Sequence, residues 1–404
     1  YYPPVFPVLL SLAYKLFGLN LTAMKMEIVL AFALFLLAFY PMIKERLSFE
    51  YSAAVIVVLG FNHLFWSLKD SIFSDIPFLL FLYLALFLAH RSYESSGERG
   101  EGMTYSALAG AFAYFSYGTK MQGLILIPCV IFYQLIKYRR LTKPALTALS
   151  VFLGLSILQA FFLPPDGSYL EQFFLSPEAM LNNLRGYYAL SASLWDNGYS
   201  SAAYLILSAA IFALAAYGYF KRAKKGATIF EVFFALYLGL IIVWPLNEMR
   251  FALPLVPLYI YYAFFGLRAG ASFIPAPGRK VLFAVLLSAI AVSYTAKYTT
   301  MNYGPISEGV SNSQSLSLFE YVKKNTAADS VFIFRKPRVL ALFTGRPASV
   351  YHRPQEDKLL WAYFKKINAA YIISGRPFIE DQRYLVPFLE KYKVCLREVF
   401  SNAD

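Results

Sequence analysis

Residues 74–89 read SDIPFLLFLYLALFLA: one carboxylate, Asp75, heads an otherwise unbroken apolar run, with Pro77 just behind it. A run of that length and purity points to lipid, because a helix needs about 17–25 apolar residues to cross roughly 30 Å of hydrocarbon. The rest of the chain agrees. Hydrophobic residues make up 58% of it and charged residues only 15%, against roughly 45–50% and about 25% in soluble domains. Comparable runs fall near 22–43, 49–66, 75–90, 104–119, 122–137, 145–163, 199–220, 229–246, 251–268 and 280–299. The expectation is an α-helical polytopic membrane protein of about ten spans.

The net charge of +13 is distributed as topology and not as a nucleic-acid face. Alternate connections are basic: Lys44 and Arg46; Arg91 and Arg99; Lys137, Arg139, Arg140 and Lys143; Lys221, Arg222, Lys224 and Lys225; Arg268, Arg279 and Lys280. The positive-inside rule makes these cytoplasmic. The connections between them hold only Lys69, Lys120, Arg185 and Arg250 and face outward. Residues 3–18 are apolar but short, and counting them as a span would break the alternation; they read as a helix in the outer interface, with Tyr1, Tyr2 and Lys15 at headgroup level. The longest outer connection, about 164–198, opens on Pro164 and Pro165 and has the length of a functional or partly helical loop. The chain begins at Tyr1 with no signal peptide, so a further upstream segment is expected.

Beyond Lys297 the pattern changes to amphipathic helices alternating with short β-branched runs, which predicts a small soluble α/β domain over 301–404 with a mainly parallel sheet. Strands are expected at 331–335, 349–352, 371–375 and 392–400, and helices near 315–325, 337–343, 356–368 and 381–391. The loop after the first strand, RKPR, lacks the glycine pattern of a dinucleotide site. Ten crossings would leave this domain extracytoplasmic. Cys129 and Cys395 are the chain's two cysteines, too few for a disulfide framework or a cysteine zinc site. His63, His90 and His352 are scattered, which argues against a shared metal site.

Charges at the ends of spans are costly unless they snorkel, pair or face a wet cavity, which makes each a functional candidate. Three outer connections carry them: WSLKDSIFSD (66–75) with Lys69, Asp70 and Asp75; YGTKMQG (117–123) with Lys120 and Gln122; and NEMR (247–250) with Glu248 and Arg250. Cations beside a carboxylate suit an anionic, phosphate-bearing lipid substrate. Interfacial anchoring is the ordinary account of any one such cation, and Asp75 also fits a helix N-cap. Tyr187, Tyr188, Trp195 and Asp196 in the long loop have the chemistry to hold a sugar, although aromatic side chains gather at membrane interfaces by partition alone. Whether a divalent cation takes part stays open, since a lone Asp75 is compatible with an ion or with none.

The order of these segments carries a resemblance. YYPPVFPVLLSLAYKLFG (1–18), SLKDSIFSDIPFLLFLYLALF (67–87), YFSYGTKMQGLILIP (114–128) and NEMRFALPLVPLYIYYA (247–263) are similar, in this order, to segments of the GT-C superfamily of polyprenyl-phosphate-sugar glycosyltransferases. The branch resembled is that of the protein O-mannosyltransferases and the lipid A aminoarabinose transferase, and FIFRKPRVLALFTGRPASVY (332–351) resembles the tail domain of bacterial and archaeal members. The resemblance implies inverting transfer of a sugar from a polyprenyl phosphate to a glycan, lipid or protein acceptor at the outer face of the cell membrane. It implies an acidic role for Asp75 and phosphate contacts for Lys120 and Arg250, with the family's principal catalytic aspartate in an outer loop upstream of Tyr1. Two other functions are compatible with the residues: a lipid or solute transporter or flippase, and a non-catalytic relative of the transferases. A soluble binding module on a membrane anchor is a third, and ten spans are more anchor than it needs.

Overall fold

The computed structural model describes residues 3–94, 101–163, 176–199, 202–244, 247–304, 309–351 and 357–402. Tyr1, Tyr2, Arg99, Pro164, Pro165 and His352, on which expectations above rest, lie outside them. The chain forms two compact units, Tyr1–Met301 and Asn302–Asp404.

The first unit is helical. It opens with α1 (Val5–Phe17), α2 (Leu21–Lys44), α3 (Phe49–Gly60), α4 (His63–Lys69), α5 (Asp75–Glu94) and α6 (Glu101–Thr119). A 3₁₀ turn, Met121–Ile125, leads into α7 (Leu126–Tyr138), followed by α8 (Lys143–Phe162), α9 (Pro177–Ser193), α10 (Ala202–Lys224) and α11 (Ile229–Val243). The short α12 (Met249–Ala252) passes through a 3₁₀ turn into α13 (Val256–Gly270), and α14 (Ala276–Thr300) closes the unit. Among the described residues seven helical stretches are long and apolar enough to cross a membrane, and α3 with α4, bent by 54°, would make an eighth. The ten expected spans each coincide with helical structure. The two that miss the criterion are α6, which carries Thr104, Ser106 and Ser116, and α11, which is 15 residues long.

Burial sorts the helices. Every residue of α13 from Val256 to Leu267 is buried, and α5 is buried along most of its length, with α6 and α2 packed on it. By contrast α8, α10 and α14 present large apolar side chains outward, among them Phe161, Phe162, Ile206 and Val292. Apolar faces turned outward around an apolar centre are what a bilayer solvent selects. The stretch expected to form a helix over 3–18 does so as α1, tied to α2 where Ala13 N–H donates to Glu27 Oε1 at 3.1 Å.

The second unit holds α15 (Ser313–Asn325), β1 (Val331–Ile333), α16 (Pro337–Thr344), β2 (Ala348–Ser349), α17 (Asp357–Lys366), β3 (Ala369–Ile372) and α18 (Val386–Lys391). Its three strands are parallel in the order β2-β1-β3, with Phe332 opposite Ala348 and Tyr371. Alternation along β1 sends Phe332 and Phe334 to one face, against Phe319, Val322 and Leu340, and Ile333 to the other, against Leu360, Phe364 and Phe388. The strand expected at 392–400 does not form. Lys393–Cys395 is a 3₁₀ turn, Val394 is fully exposed, and Tyr321 takes the following stretch by donating to Val399 O at 2.9 Å and stacking on Phe400. Neither alternate set of its side chains finds a buried face, so a strand there would bury nothing.

Candidate active site

The site is built around the first turn of α5. Phe78 N–H bonds to Ser74 O at 3.0 Å, so Ser74 stands before the helix and Asp75 lies in its first turn, where the helix dipole favours an anion. The Asp75 side chain is 0% exposed. Its carboxylate is taken by cations: Lys120 Nζ donates to Oδ1 at 2.6 Å, and Arg250 donates to Oδ2 through Nη2 at 2.6 Å and Nε at 3.1 Å. Both carboxylate oxygens are thus engaged by positive charge.

Local sequence explains how each cation arrives. Lys120 stands between α6 and the 3₁₀ turn, held by Lys120 N–H to Ser116 O (2.9 Å) and Gly123 N–H to Lys120 O (2.9 Å). The turn is so tight that a Cβ on Gly123 would lie 2.6 Å from the Ser116 carbonyl carbon. Arg250 sits in α12, and its guanidinium lies over the Phe73 ring at 4.4 Å, which screens one side of the ion pair from water. Lys120 is 14% exposed and Arg250 is 40% exposed. The trio therefore carries two positive charges on one buried negative charge, with the guanidinium as its open edge.

The other expected residues divide around this trio. Glu248, exposed, precedes α12 and exerts an attractive field on Lys120. Gln122 lies half-buried in the turn just past Lys120. Tyr187 is buried on α9, with its hydroxyl against the backbone of Glu248. Lys69 and Asp70 pair with each other at 3.4 Å, with Lys69 over the Trp66 ring, and take no part in the Asp75 pairing. Trp195 is wholly buried, and Tyr294 stacks on it at 6.2 Å, so the face that a sugar would use is covered. Asp196 accepts from Lys297, and Ser293 Oγ donates to Trp195 O, which ties this stretch to α14. His63 Nε2 lies 3.1 Å from Ser193 O in the same region.

A divalent cation does not fit at Asp75 as it stands, because ammonium and guanidinium groups occupy both oxygens. Among the described residues the cluster with metal-ligand spacing is Glu45, His90 and Glu94, whose ligating atoms lie within 4.8 Å of one another. It sits at the far end of α5, about 22–28 Å along the helix from Asp75. Arg46 and Arg91 already lie against it, Arg46 Nη2 at 2.9 Å from His90 Nε2 and Arg91 Nη2 at 2.7 Å from Glu45 Oε1. Sequence reasoning misses this group, since each member alone reads as an ordinary span-end charge.

Residues 2–162 match the family described as dolichyl-phosphate-mannose-protein mannosyltransferase, a stretch that includes Asp75 and Lys120. Among solved structures, the chain is similar to ArnT from Cupriavidus metallidurans bound to undecaprenyl phosphate. The TM-score is 0.61 at 12% identity, over 91% of this chain and 79% of that one. It is similar as well to the oligosaccharyltransferase of Archaeoglobus fulgidus in its apo form, with a TM-score of 0.61 at 12% identity over 92% of this chain and 61% of that one. The chain has the fold of these two transferases. AglB from the same archaeon, in complex with an inhibitory peptide and a dolichol-phosphate, gives a TM-score of 0.54 at 12% identity, over 92% of this chain and 61% of that one. No curated protein sequence matches the chain. Arg250 lies outside the matched stretch, and it is α12 that brings it to Asp75.

Proposed function

We propose that the chain is a membrane glycosyltransferase of the GT-C type, and that Lys120 and Arg250 hold the phosphate of a polyprenyl-phosphate sugar donor at the outer face. The observation that carries this reading is the buried Asp75 carboxylate gripping two cations from separate elements, leaving one positive charge in excess and Arg250 partly open. In an inverting transfer the bond from the sugar's anomeric carbon to the phosphate oxygen breaks while the acceptor's oxygen bonds to that carbon from the opposite side. The electron pair stays on the departing polyprenyl phosphate. Cations fixed beforehand beside that oxygen stabilise the charge as it develops, with no reorganisation at the moment of reaction. Undecaprenyl phosphate and dolichol-phosphate, the lipids named with the ArnT and AglB structures, are both of this class.

Asp75 is then a positioning group. A carboxylate engaged through both oxygens with an ammonium and a guanidinium is a weak base, so the acceptor's proton goes to a group outside the trio. The same reading takes α6 and α11 as crossings too: α6 packs along α5 and α8, and α11 is apolar throughout save its capping Glu231. Ten crossings by the alternation of basic loops put Asp75, Lys120 and Arg250 on the outer side and return the chain there for residues 302–404.

The test uses the complete natural protein, purified in detergent, with a labelled polyprenyl-phosphate sugar. Turnover is expected, and Arg250→Ala or Lys120→Ala should each lower it by about 10²- to 10³-fold, the usual loss for one preorganised charge donor. Absence of turnover by the unaltered protein, with binding of the lipid retained, would overturn catalysis in favour of transport.

A further inference from the structure

Helix α9 lies over the segment that carries Arg250, and its contacts follow one face. Asn183, 7% exposed, donates through Nδ2 to two carbonyls at the end of α11, Ile242 O at 2.9 Å and Trp244 O at 2.7 Å. The last carbonyls of a helix have no partner within it, so this one amide caps α11 from a neighbouring helix. Further along the chain, Asn247 Nδ2 reaches back to Asn183 O at 3.5 Å. Gly186 leaves Asn247 its space, since a Cβ there would lie 2.8 Å from the Asn247 amide carbon. Tyr187 meets the backbone of Glu248. Positions 183, 186 and 187 stand at the i, i+3, i+4 spacing that shares a helix face, and they grip residues 242, 244, 247 and 248 in order.

Arg250 is the second residue of α12, a helix of four residues with no side-chain cap of its own. Its location is therefore fixed from outside, by Asp75 at the guanidinium and by α9 on the approach. The clamp has a firm base. The Ser176 side chain accepts from Ala179 N–H, Pro177 opens the helix, and Tyr188 packs edge-on against Phe212 of α10.

We infer that α9 is a clamp that sets the position of the Arg250 guanidinium against Asp75, with Asn183 as a positioning residue for the phosphate site. This rests on the function proposed above. A shift of about 1 Å at such a group is enough to cost on the order of 10²-fold in rate. Loss of the clamp acts on chemistry through Arg250, and this separates it from a general packing role.

The experiment is a double-mutant cycle in the complete natural protein, read as kcat and KM for the polyprenyl-phosphate sugar. Asn183→Ala is expected to lower kcat/KM by roughly 10- to 100-fold. In the Arg250→Ala background it should change kcat/KM by less than about 2-fold, because the group it positions is gone. Equal losses in both backgrounds would overturn the clamp while leaving the function proposed above intact. No effect of Arg250→Ala by itself would overturn that function and the clamp with it. Should Asn183→Ala fail to fold, Tyr187→Phe, which removes only the hydroxyl against Glu248, replaces it in the same cycle: a loss confined to the Arg250 background supports the clamp, and equal losses in both overturn it.

Discussion

At its first turn α5 buries Asp75 between Lys120 and Arg250; at its last turns it buries His90 among Glu45, Glu94, Arg46 and Arg91. The two ends differ in burial and in balance: Asp75 is wholly buried, whereas Glu45 and Glu94 are exposed around a buried imidazole. The groups contacting one another at the Asp75 end sum to one positive charge. At the His90 end two carboxylates meet two guanidiniums around an imidazole that is 2% exposed. An ionic group whose contacting charges match, with its carboxylates reaching solvent, is a structural solution at the end of a span. One that keeps an unmatched cation at its edge has chemistry left to satisfy, which is what the proposed anionic substrate would do. On the function proposed above, the difference separates the end of the bundle that would take substrate from the end that only seals it.

The comparison breaks most visibly at Asp75. Asp75→Asn keeps the shape of the side chain but leaves Lys120 and Arg250 facing each other without a counter-charge. Removing one member of a buried ion group costs about 3–5 kcal/mol, so thermal unfolding in detergent should occur at clearly lower temperature and sugar transfer should be lost. An anion should partly restore the loss, because a phosphate at the open edge beside Arg250 can supply the missing negative charge. Stabilisation of Asp75→Asn by inorganic phosphate beyond that of the unaltered protein is the expected result. Equal stabilisation of both would mean that the two cations are not open to an anion.

His90→Ala probes the sealed end. It leaves Arg46 Nη2, half-buried, without its partner at 2.9 Å, a loss at or below about 1 kcal/mol because water can replace the partner. Transfer activity should stay within about 2-fold of the unaltered rate, since the imidazole is about 22 Å from Asp75 along α5. A rate loss as large as that of Arg250→Ala would show that the two ends are coupled and would remove the distinction.

How far this could be read from the chain depends on how costly each residue looks in its own stretch. Asp75, Lys120 and Arg250 stand out because a charge beside a long apolar run is expensive, and their presence on one side follows from the alternation of basic loops. Their pairing does not follow, and the N-cap role open to Asp75 falls to its position in the first turn behind Ser74. Asn183 and Gly186 stay hidden altogether, because asparagine and glycine are ordinary in a connecting segment and only the return of the chain at 242–248 gives them partners. Trp195 misleads in the opposite direction. An aromatic residue next to Asp196 in an outer connection has the chemistry of a sugar platform, yet Tyr294 from a helix about a hundred residues later covers it.

The smallest expected effect concerns that same connection, which the chain ties down at the Asp75 end of the unit. Burial works to raise the Asp196 carboxyl, but the Lys297 ammonium and the Gly198 N–H outweigh it and hold it below the usual carboxylate range. A carboxyl whose folded pKa is depressed adds stability that is present above its unfolded value, near 3.8, and is lost as pH falls through the folded value. Between pH 7 and pH 5 the tether should hold, so Lys297→Met should lower the unfolding temperature slightly and by the same amount at both. Below pH 4 the difference between Lys297→Met and the unaltered protein should shrink, because protonated Asp196 no longer attracts the ammonium. If the difference instead persists to pH 3, Lys297 acts through its apolar stem against α14's neighbours and not through its charge, and the connection is held by its other contacts, among them Ser293 on Trp195 O and Asn62 on Leu194 O.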